Sequence, residues 1–256
     1  MTKRNTQQRR HTILNQVNEL GEVSVEALAE QLHTSEVTIR KDLASLEQSG
    51  LLLRRYGGAI ALPKEIVAGS ESQDSARKRA IAKAAAQLIK DHHRIIIDSG
   101  RTTAAMIPEL ASKRGLVVMT NAINVASRLL ALENEPTLLM TGGTWDPHSE
   151  SFQGQVAEQV LRSYDFDTLF IGADGIDVSR GTTTFNELIG LSQVMAEAAR
   201  DVVVLVESEK IGRRIPNLEL PWQQVSTLIT DSNLAPELRR EISAHGVQVI
   251  CAEVNE

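Results

Sequence analysis

Hydroxyl, amide and glycine groups gather in this chain where apolar runs end, and residues of those types hold anions. The fullest such loop is Asp98-Ser99-Gly100-Arg101-Thr102-Thr103, which follows Arg94-Ile-Ile-Ile97. Gly100 lets the backbone approach a ligand closely, and the hydroxyls and amides of Ser99, Thr102 and Thr103 at a helix start can cradle a phosphate. Thr120-Asn121, Gly142-Gly143-Thr144 and Gly172-Ala173-Asp174-Gly175 close further apolar runs. A second chemistry lies nearer the N-terminus. Over Thr34 to Ala59, Ser35 is a good helix N-cap and Gly50 a good stop. Between them Ile39, Leu43 and Leu46 fall at the spacing that buries one helix face. The opposite side carries Val37, Lys41 and Gln48, flanked by Thr38, Arg40 and Ser45, a short surface able to enter a major groove. Ser35, Thr38 and the helix start can donate to phosphate, Arg40 and Lys41 can reach phosphates or guanine acceptors, and Val37 can touch a thymine methyl. Ser35, Glu36, Val37, Thr38, Arg40 and Lys41 are thus the candidate DNA-facing residues of this helix. Arg40 can equally pair with Glu36 or Asp42 on a solvated face, as in a winged helix that docks protein.

The elements that must carry that surface are legible around it. Ile13, Leu14, Val17 and Leu20 predict a first amphipathic helix ending near Gly21, and Ser24 opens a second whose Val25, Leu28, Ala29 and Leu32 face inward. His33-Thr34-Ser35 is the tight turn into the third, a helix-turn-helix arrangement. Leu51 to Arg55 and Ala59 to Leu62 read as strands, with Gly57-Gly58 supplying the positive φ of a hairpin. That is a winged helix, in which Arg54, Arg55 and Tyr56 lie where a wing brushes DNA. The charge balance makes placement matter: residues 1–62 hold eight Lys/Arg and seven Asp/Glu, in a chain of net charge −6. Bulk attraction to nucleic acid is therefore excluded, and Arg4, Arg9, Arg10, Arg40, Lys41, Arg54 and Arg55 must act individually.

At 256 residues the chain suits two domains. An aromatic share of 3% beside 42% apolar residues implies a core of Ile, Val, Leu and Ala, which a parallel sheet covered on both faces requires. Residues 63–75 are polar and aperiodic and read as a linker. Beyond it, a helix over about Ala76 to Lys90 precedes strand-length runs at Arg94–Ile97, Leu116–Met119, Thr137–Met140, Thr168–Ile171, Val202–Val206, Leu228–Thr230 and Val247–Cys251. Helix-like stretches at Thr102–Leu110, Ala122–Leu132, Gly154–Ser163, Glu187–Ala199 and Pro236–His245 separate most of them. The expectation is an α/β chain: a winged helix-turn-helix over 1–62, a linker over 63–75, and a doubly wound, mostly parallel α/β domain over 76–256. In such a sheet ligands bind beyond the C-terminal strand ends, where the anion-binding loops fall. A single cysteine, Cys251, excludes an intrachain disulfide and a multi-cysteine zinc site. No segment approaches the roughly 18–20 apolar residues that span a bilayer, so a cytoplasmic protein without membrane contact is expected. His148 and the pair His92-His93 read as loop residues, and neither a metal nor a cofactor is expected.

The run T-I-R-K-D-L, then L-E-Q-S-G, then R-R-Y-G-G-A resembles the DeoR family of bacterial transcription regulators, and the resemblance continues to the C-terminus. It is nearest the branch that controls hexitol and amino-sugar operons, the sorbitol, galactitol and N-acetylgalactosamine repressors. The resemblance implies a sensor domain similar in fold to ribose-5-phosphate isomerase and glucosamine-6-phosphate deaminase. Its strand ends would bind a phosphorylated sugar or sugar alcohol, so the effector-binding candidates are Asp98, Ser99, Gly100, Arg101, Thr102, Thr103, Thr120, Asn121, Gly142 and Gly143. Asp174, Asn186, Glu187 and Lys210 match further positions lining the family's pocket; the alternatives are caps or surface charges, and for Lys210 a solvated loop. The resemblance also implies double-stranded operator DNA as partner and a homodimer or homotetramer, because such regulators pair two heads over a repeated site.

This chain departs from the family pattern at three places. Position 101 carries Arg where Ser or Thr is usual. Asp146 stands where a Gly-Gly-x-x-Arg pattern expects arginine, and the usual D-S-S-K element reads Glu207-Ser208-Glu209-Lys210. Arg101 can replace the missing arginine as phosphate or hydroxyl anchor, supported by Asp146 or Asp98; alternatively it only fills part of the pocket. A different class of function is a sugar-phosphate isomerase or deaminase fused to a DNA-binding head, with Glu187 as general base. Against it, no His lies near Glu187 and no second acid is placed for proton transfer. Repressor and activator are both compatible with the residues.

Overall fold

Apolar periodicity and strand-length runs are realised in two separate units, Met1–Ser72 and Gln73–Glu256. The computed structural model describes residues 9–10, 12–13, 16–17, 21–48, 52–55, 57–61, 76–147, 149–184, 189–213, 215 and 217–254. Leu14, Leu20, Gly50, Tyr56, His148, Asn186, Glu187 and the linker expected over 63–75 lie outside the described residues.

In the first unit, residues 12–13 and 16–17 are helical, and β1 (Glu22–Ser24), α1 (Val25–Gln31), α2 (Glu36–Gln48), β2 (Leu52–Arg55) and β3 (Gly58–Ala61) follow. Ser24 caps α1 by accepting the Ala27 N–H at 3.1 Å. The α1–α2 turn places His33 at φ 47, a conformation His tolerates better than most side chains, and Thr34 N–H donates to Ala29 O at 3.0 Å to close the helix. Ser35 Oγ accepts the Thr38 N–H and so starts α2. Ile13, Val17, Val25, Leu28, Ile39, Leu43, Leu46 and Leu52 form one buried cluster, with Ala29 and Leu32 packed against it. The wing is a three-stranded antiparallel sheet in the order β1-β3-β2. The sequence reading lacked β1, because three residues are too short a run to read as a strand. It also assigned positive φ to both wing glycines. Only Gly57 has one, 82°, whereas Gly58 is required by space: a Cβ there would lie 2.1 Å from Val23 O.

The second unit is built on seven parallel strands in the order β15-β14-β12-β9-β4-β5-β6. They are β4 (Arg94–Ile97), β5 (Val117–Thr120), β6 (Thr137–Met140), β9 (Phe166–Ile171), β12 (Ala199–Leu205), β14 (Thr227–Asp231) and β15 (Gln248–Ala252). All seven expected strands are present within a few residues of their reading. Their near-continuous apolar sequence follows from burial on both faces. Ile95 and Ile97 pack with Ile81, Ala85, Leu110, Val125 and Leu129 on one side. Ile96, between them, packs with Leu161, Val194, Met195 and Ile242 on the other. The covering helices are α3 (Ala76–Ala86), α4 (Arg101–Ala104), α5 (Ile123–Leu130), α6 (Gln155–Leu161), α7 (Gly190–Glu197) and α8 (Pro236–Ser243).

Two features were not read from the sequence. A hairpin of β7 (Thr144–Asp146) and β8 (Ser151–Gln153) follows β6, and a small antiparallel sheet joins β10 (Gly175–Asp177), β11 (Gly181–Thr184) and β13 (Asn217–Pro221). These strands are short and rich in Thr, Gly and charge, so they carry no apolar run. The helix expected over Thr102–Leu110 is instead one α turn followed by a 3-10 stretch, Ile107–Ser112, with Pro108 in its first turn. Proline there cannot donate the backbone bond that would continue the α-helix.

Candidate functional site

The strand order reverses at β4: β5 and β6 lie on one side of it, and β9, β12, β14 and β15 on the other. Crevices at such switch points, beyond the carboxyl ends of the strands, are where open α/β sheets bind ligands. The loops after β4 and β9 are adjacent, since Ile97 pairs with Phe170 and Asp98 N–H donates to Phe170 O at 3.0 Å. Thr120-Asn121 ends β5, Gly142-Gly143 follows β6, Ala173-Asp174 follows β9, and Glu207 to Lys210 follow β12. The sheet therefore brings every described effector candidate to one end of five strands. The hollow lined by Glu197, Arg200 and Gln224 opens at the opposite, N-terminal end of these strands and shares no residue with this set.

The loop after β4 is held internally. Asn121, fully buried, donates from Nδ2 to Asp98 Oδ1 at 2.9 Å and accepts the Ser99 N–H on Oδ1 at 3.1 Å. Thr103 spends its hydroxyl on the backbone oxygens of Asp98 and Gly100, 2.9 and 3.0 Å away. Thr120 Oγ1 accepts the Ala122 N–H. Gly100 has φ 137, open only to glycine, and Gly143 cannot carry a side chain because a Cβ would meet Gln153 O at 2.5 Å. Thr103, Thr120 and Asn121 thus build the cradle, whereas Ser99, Gly100 and Arg101 lie at its less buried edge. Since α4 is a single turn, an anion here would rest on loop amides and hydroxyls more than on a helix dipole, which needs length to develop.

Around this loop the charges are unevenly distributed. Burial raises the Asp98 carboxyl to about 6, partly offset by the Ser99 and Asn121 hydrogen bonds and reinforced by nearby Asp174. Asp174 accepts the Thr184 hydroxyl at 2.8 Å, and Lys210 Nζ reaches Ala173 O at 3.3 Å beside it. A lysine ammonium can make charge-assisted hydrogen bonds to an anion. Asp146 accepts both the Ser149 N–H and hydroxyl, closing the β7–β8 turn. It serves the hairpin that stands where the family pattern has arginine.

Sequence reasoning missed two residues here. Glu219 on β13 is buried and accepts hydrogen bonds from Ser192 at 2.7 Å and Thr182 at 3.4 Å. Burial, with the charges of Asp98 and Asp174, pushes it up to about 8. Its only sequence signal is a charge between two leucines. Asp231, at the end of β14, accepts the Ser208 N–H at 2.8 Å, the Ser208 hydroxyl at 2.7 Å and the Asn233 N–H. Burial alone would raise Asp231, but those bonds and the charge of Arg77 outweigh it and hold the carboxyl below its usual range.

In the first unit, α2 presents Val37 at 60% exposure with Ser35, Glu36, Arg40 and Lys41 also exposed. Ser35 and Thr38 share a hydrogen bond of 2.9 Å. Each candidate arginine is steadied by a glutamate: Arg40 by Glu36 at 2.7 Å, Arg54 by Glu47 at 3.6 Å, and Arg55 by Glu22 at 2.8 Å. Such exposed pairs are weak and exchangeable. Arg9 and Arg10, which the sequence reading grouped with the DNA-facing arginines, have a partner within the unit. Both donate to buried Asp42, at 2.6 and 2.8 Å, and so tie the first helix to α2. Asp42 lies three residues after Ile39 and four before Leu46, on the buried face, which was the available signal.

A winged helix-turn-helix with an exposed second helix of the motif, on the same chain as a doubly wound domain whose hydroxyl- and glycine-rich loops meet at the strand ends, is the architecture of a ligand-responsive transcription regulator. Two family profiles match: the DeoR-like helix-turn-helix domain over residues 9–65 and the DeoR C terminal sensor domain over residues 73–232. The chain belongs to the DeoR family. It is 37% identical over 252 residues to a protein of Escherichia coli O157:H7 named as an aga operon transcriptional repressor, covering 96% of this chain and 93% of that one. It is 32% identical to the HTH-type transcriptional regulator GlpR of Haloferax volcanii, covering 95% of this chain and 96% of that one. Among solved structures, ribose 5-phosphate isomerase A from Methanocaldococcus jannaschii matches with TM-score 0.37 at 22% identity, covering 52% of this chain and 53% of that chain. The parallel α/β class rests on the strand pairing itself and not on that likeness.

Proposed function

We propose that this chain represses a catabolic operon for a hexitol or amino sugar and is released from its operator by a phosphorylated intermediate of that pathway. The observation that carries the reading is the convergence of the loops after β4, β5, β6, β9 and β12 on one crevice, with Lys210 beside the Asp98 loop. The relative named for the aga operon supports the amino-sugar branch. The protein works in the cytoplasm as a homodimer or homotetramer that sets two recognition helices on a repeated site. Asp98, Ser99, Gly100, Arg101, Thr102, Thr103, Gly142, Gly143, Asp174 and Lys210 form the effector pocket, Thr120 and Asn121 support it, and Asn186 and Glu187 are assigned to it by the family resemblance alone. The effector loosens DNA only by as much as it prefers the non-binding arrangement, typically ~1–3 kcal/mol.

The reading as a sensor is supported by the regulator family profiles, and among the described residues the acids of this region hold loops: Asp98 binds Asn121, Asp174 binds Thr184 and Glu219 binds Ser192. The test is binding of the purified chain to DNA from its own upstream region, titrated with sorbitol 6-phosphate, galactitol 1-phosphate and N-acetylgalactosamine 6-phosphate. Release by one of them, with that compound recovered unchanged, is the expected result. Conversion of the compound would move the chain to the isomerase or deaminase class. Tight operator binding indifferent to all three would remove these compounds as effectors.

A further inference from the structure

The altered E-S-E-K element has a structural use outside the crevice. Its two glutamates flank Ser208, and both reach the first turn of α3, the helix that opens the second unit. Lys78 Nζ lies 3.8 Å from Glu207 Oε2, with side-chain exposures of 16% and 8%, and Arg77 Nη1 lies 3.5 Å from Glu209 Oε2, with 40% and 47%. The same short 3-10 turn, Ser208–Lys210, carries the lysine that reaches Ala173 O beside the Asp98 loop. Asp231 fixes the turn from below through the Ser208 N–H and hydroxyl. The four residues Glu207 to Lys210 therefore touch the candidate effector crevice through Lys210 and the entry of α3 through Glu207 and Glu209.

We infer that the Lys78–Glu207 and Arg77–Glu209 pairs are the coupling through which occupancy of the crevice acts on the start of α3, and so on the chain that joins it to the DNA-binding head. This rests on the effector reading above. Ala76 is the first described residue after Ala61 of β3, so α3 is the first described element of the second unit. A ligand phosphate that draws Lys210 toward it moves a turn whose neighbours on both sides are anchored on that helix. The two pairs contribute unequally. Lys78–Glu207 is largely shielded, so it is weakly screened and costly to break, whereas Arg77–Glu209 is exposed and carries the smaller share. The departure from D-S-S-K thereby gains a physical reason. Glutamate at 207 has one methylene more reach than aspartate, and the charge at 209 supplies a partner for Arg77.

The test uses the full chain on its upstream DNA, with the three sugar phosphates as probes. In the wild type the releasing compound raises the operator Kd by about 5–150-fold, the usual span of such couplings. Lys78→Gln is expected to keep calorimetric binding of that compound while the release factor falls to within about twofold of unity, the low end of any measurable coupling. Arg77→Glu reduces it less, and adding Glu209→Arg to Arg77→Glu restores it. A full release factor in both Lys78→Gln and Arg77→Glu overturns the inference. A second measurement stands apart from the effector's identity and guards against a variant that fails to fold. In the ligand-free protein Glu207→Gln should speed amide hydrogen exchange over residues 80–84 while leaving β9 protected. Unchanged exchange there overturns the inference even if none of the three compounds releases the wild type, an outcome that by itself counts only against the proposed effectors.

Discussion

Asn121 holds Asp98 and Ser99 at once: its Nδ2 donates to Asp98 Oδ1 at 2.9 Å, and its Oδ1 accepts the Ser99 N–H at 3.1 Å. Both ends of the amide are used within the sheet's switch point, so Asn121 shapes the loop after β4. Asn121→Ala leaves a buried carboxyl and a backbone donor without this partner, a loss of ~1–3 kcal/mol each way such groups are orphaned. Urea unfolding of the second unit should show that loss, and calorimetry a fall in effector affinity of about tenfold per 1.4 kcal/mol spent on reordering the loop. A stability loss with effector affinity intact would mean that the loop's fixed shape does not hold the ligand.

Arg101 occupies the first position of α4, exposed at the edge of the same loop. As the anchor replacing the family's absent arginine, it would make a charge-assisted bond to phosphate, worth ~1.5–3 kcal/mol. Arg101→Ser should then weaken effector binding by about ten- to a hundredfold, at 1.4 kcal/mol per factor of ten, without altering operator affinity in the absence of effector. Equal affinity in the two proteins would leave Arg101 as a side chain that only occupies space.

Glu219 sets a pH dependence with a definite sign. Its folded-state value, about 8, lies above the ordinary 4.5. The folded chain thus binds the extra proton within that window, and the stabilisation is complete below it and is lost as pH rises through about 8. Asp98, raised from 3.8 to about 6, adds a decline of the same sign at lower pH. Thermal melts of the wild type should fall between pH 6 and 8.5 (roughly the upper part of the linkage window), and Glu219→Gln, always neutral, should flatten that fall. Parallel curves for the two proteins would show that Glu219 does not carry the proton.

Asp42 and Lys41 are adjacent in sequence and opposite in role. Asp42, 2% exposed, binds both Arg9 and Arg10, and Asp42→Ala leaves the shielded Arg9 without this partner while Arg10, 35% exposed, stays in water, a loss of ~3 kcal/mol at the low end for a broken buried pair. The head should unfold by circular dichroism and lose operator binding while the second unit still binds effector. Lys41 is exposed on the free side of α2. Lys41→Gln should leave the head folded, weaken binding across all DNA sequences, and reduce the salt slope by about one. An unchanged slope would place Lys41 away from phosphate.

Much of this protein is determined by local sequence. A strand segment buried on both faces must be apolar at every position, so the run at residues 95–97 or 202–205 is legible without a partner in view. A recognition helix is legible because Ile39, Leu43 and Leu46 repeat at its period beneath a named cap. The family motifs add the loops that hold anions. Tertiary structure alone decided the rest. The small sheet of β10, β11 and β13 has no apolar run and exists only because its edges find each other across the chain. Which neighbours Thr103, Asn121 and Asp146 hold was also decided there, by hydrogen bonds to residues brought close by the fold. Likewise, Arg9 and Arg10 differ from Lys41 only in what lies opposite them. Period and propensity act within a few residues, whereas the partner of a charge is chosen by packing between elements far apart in sequence.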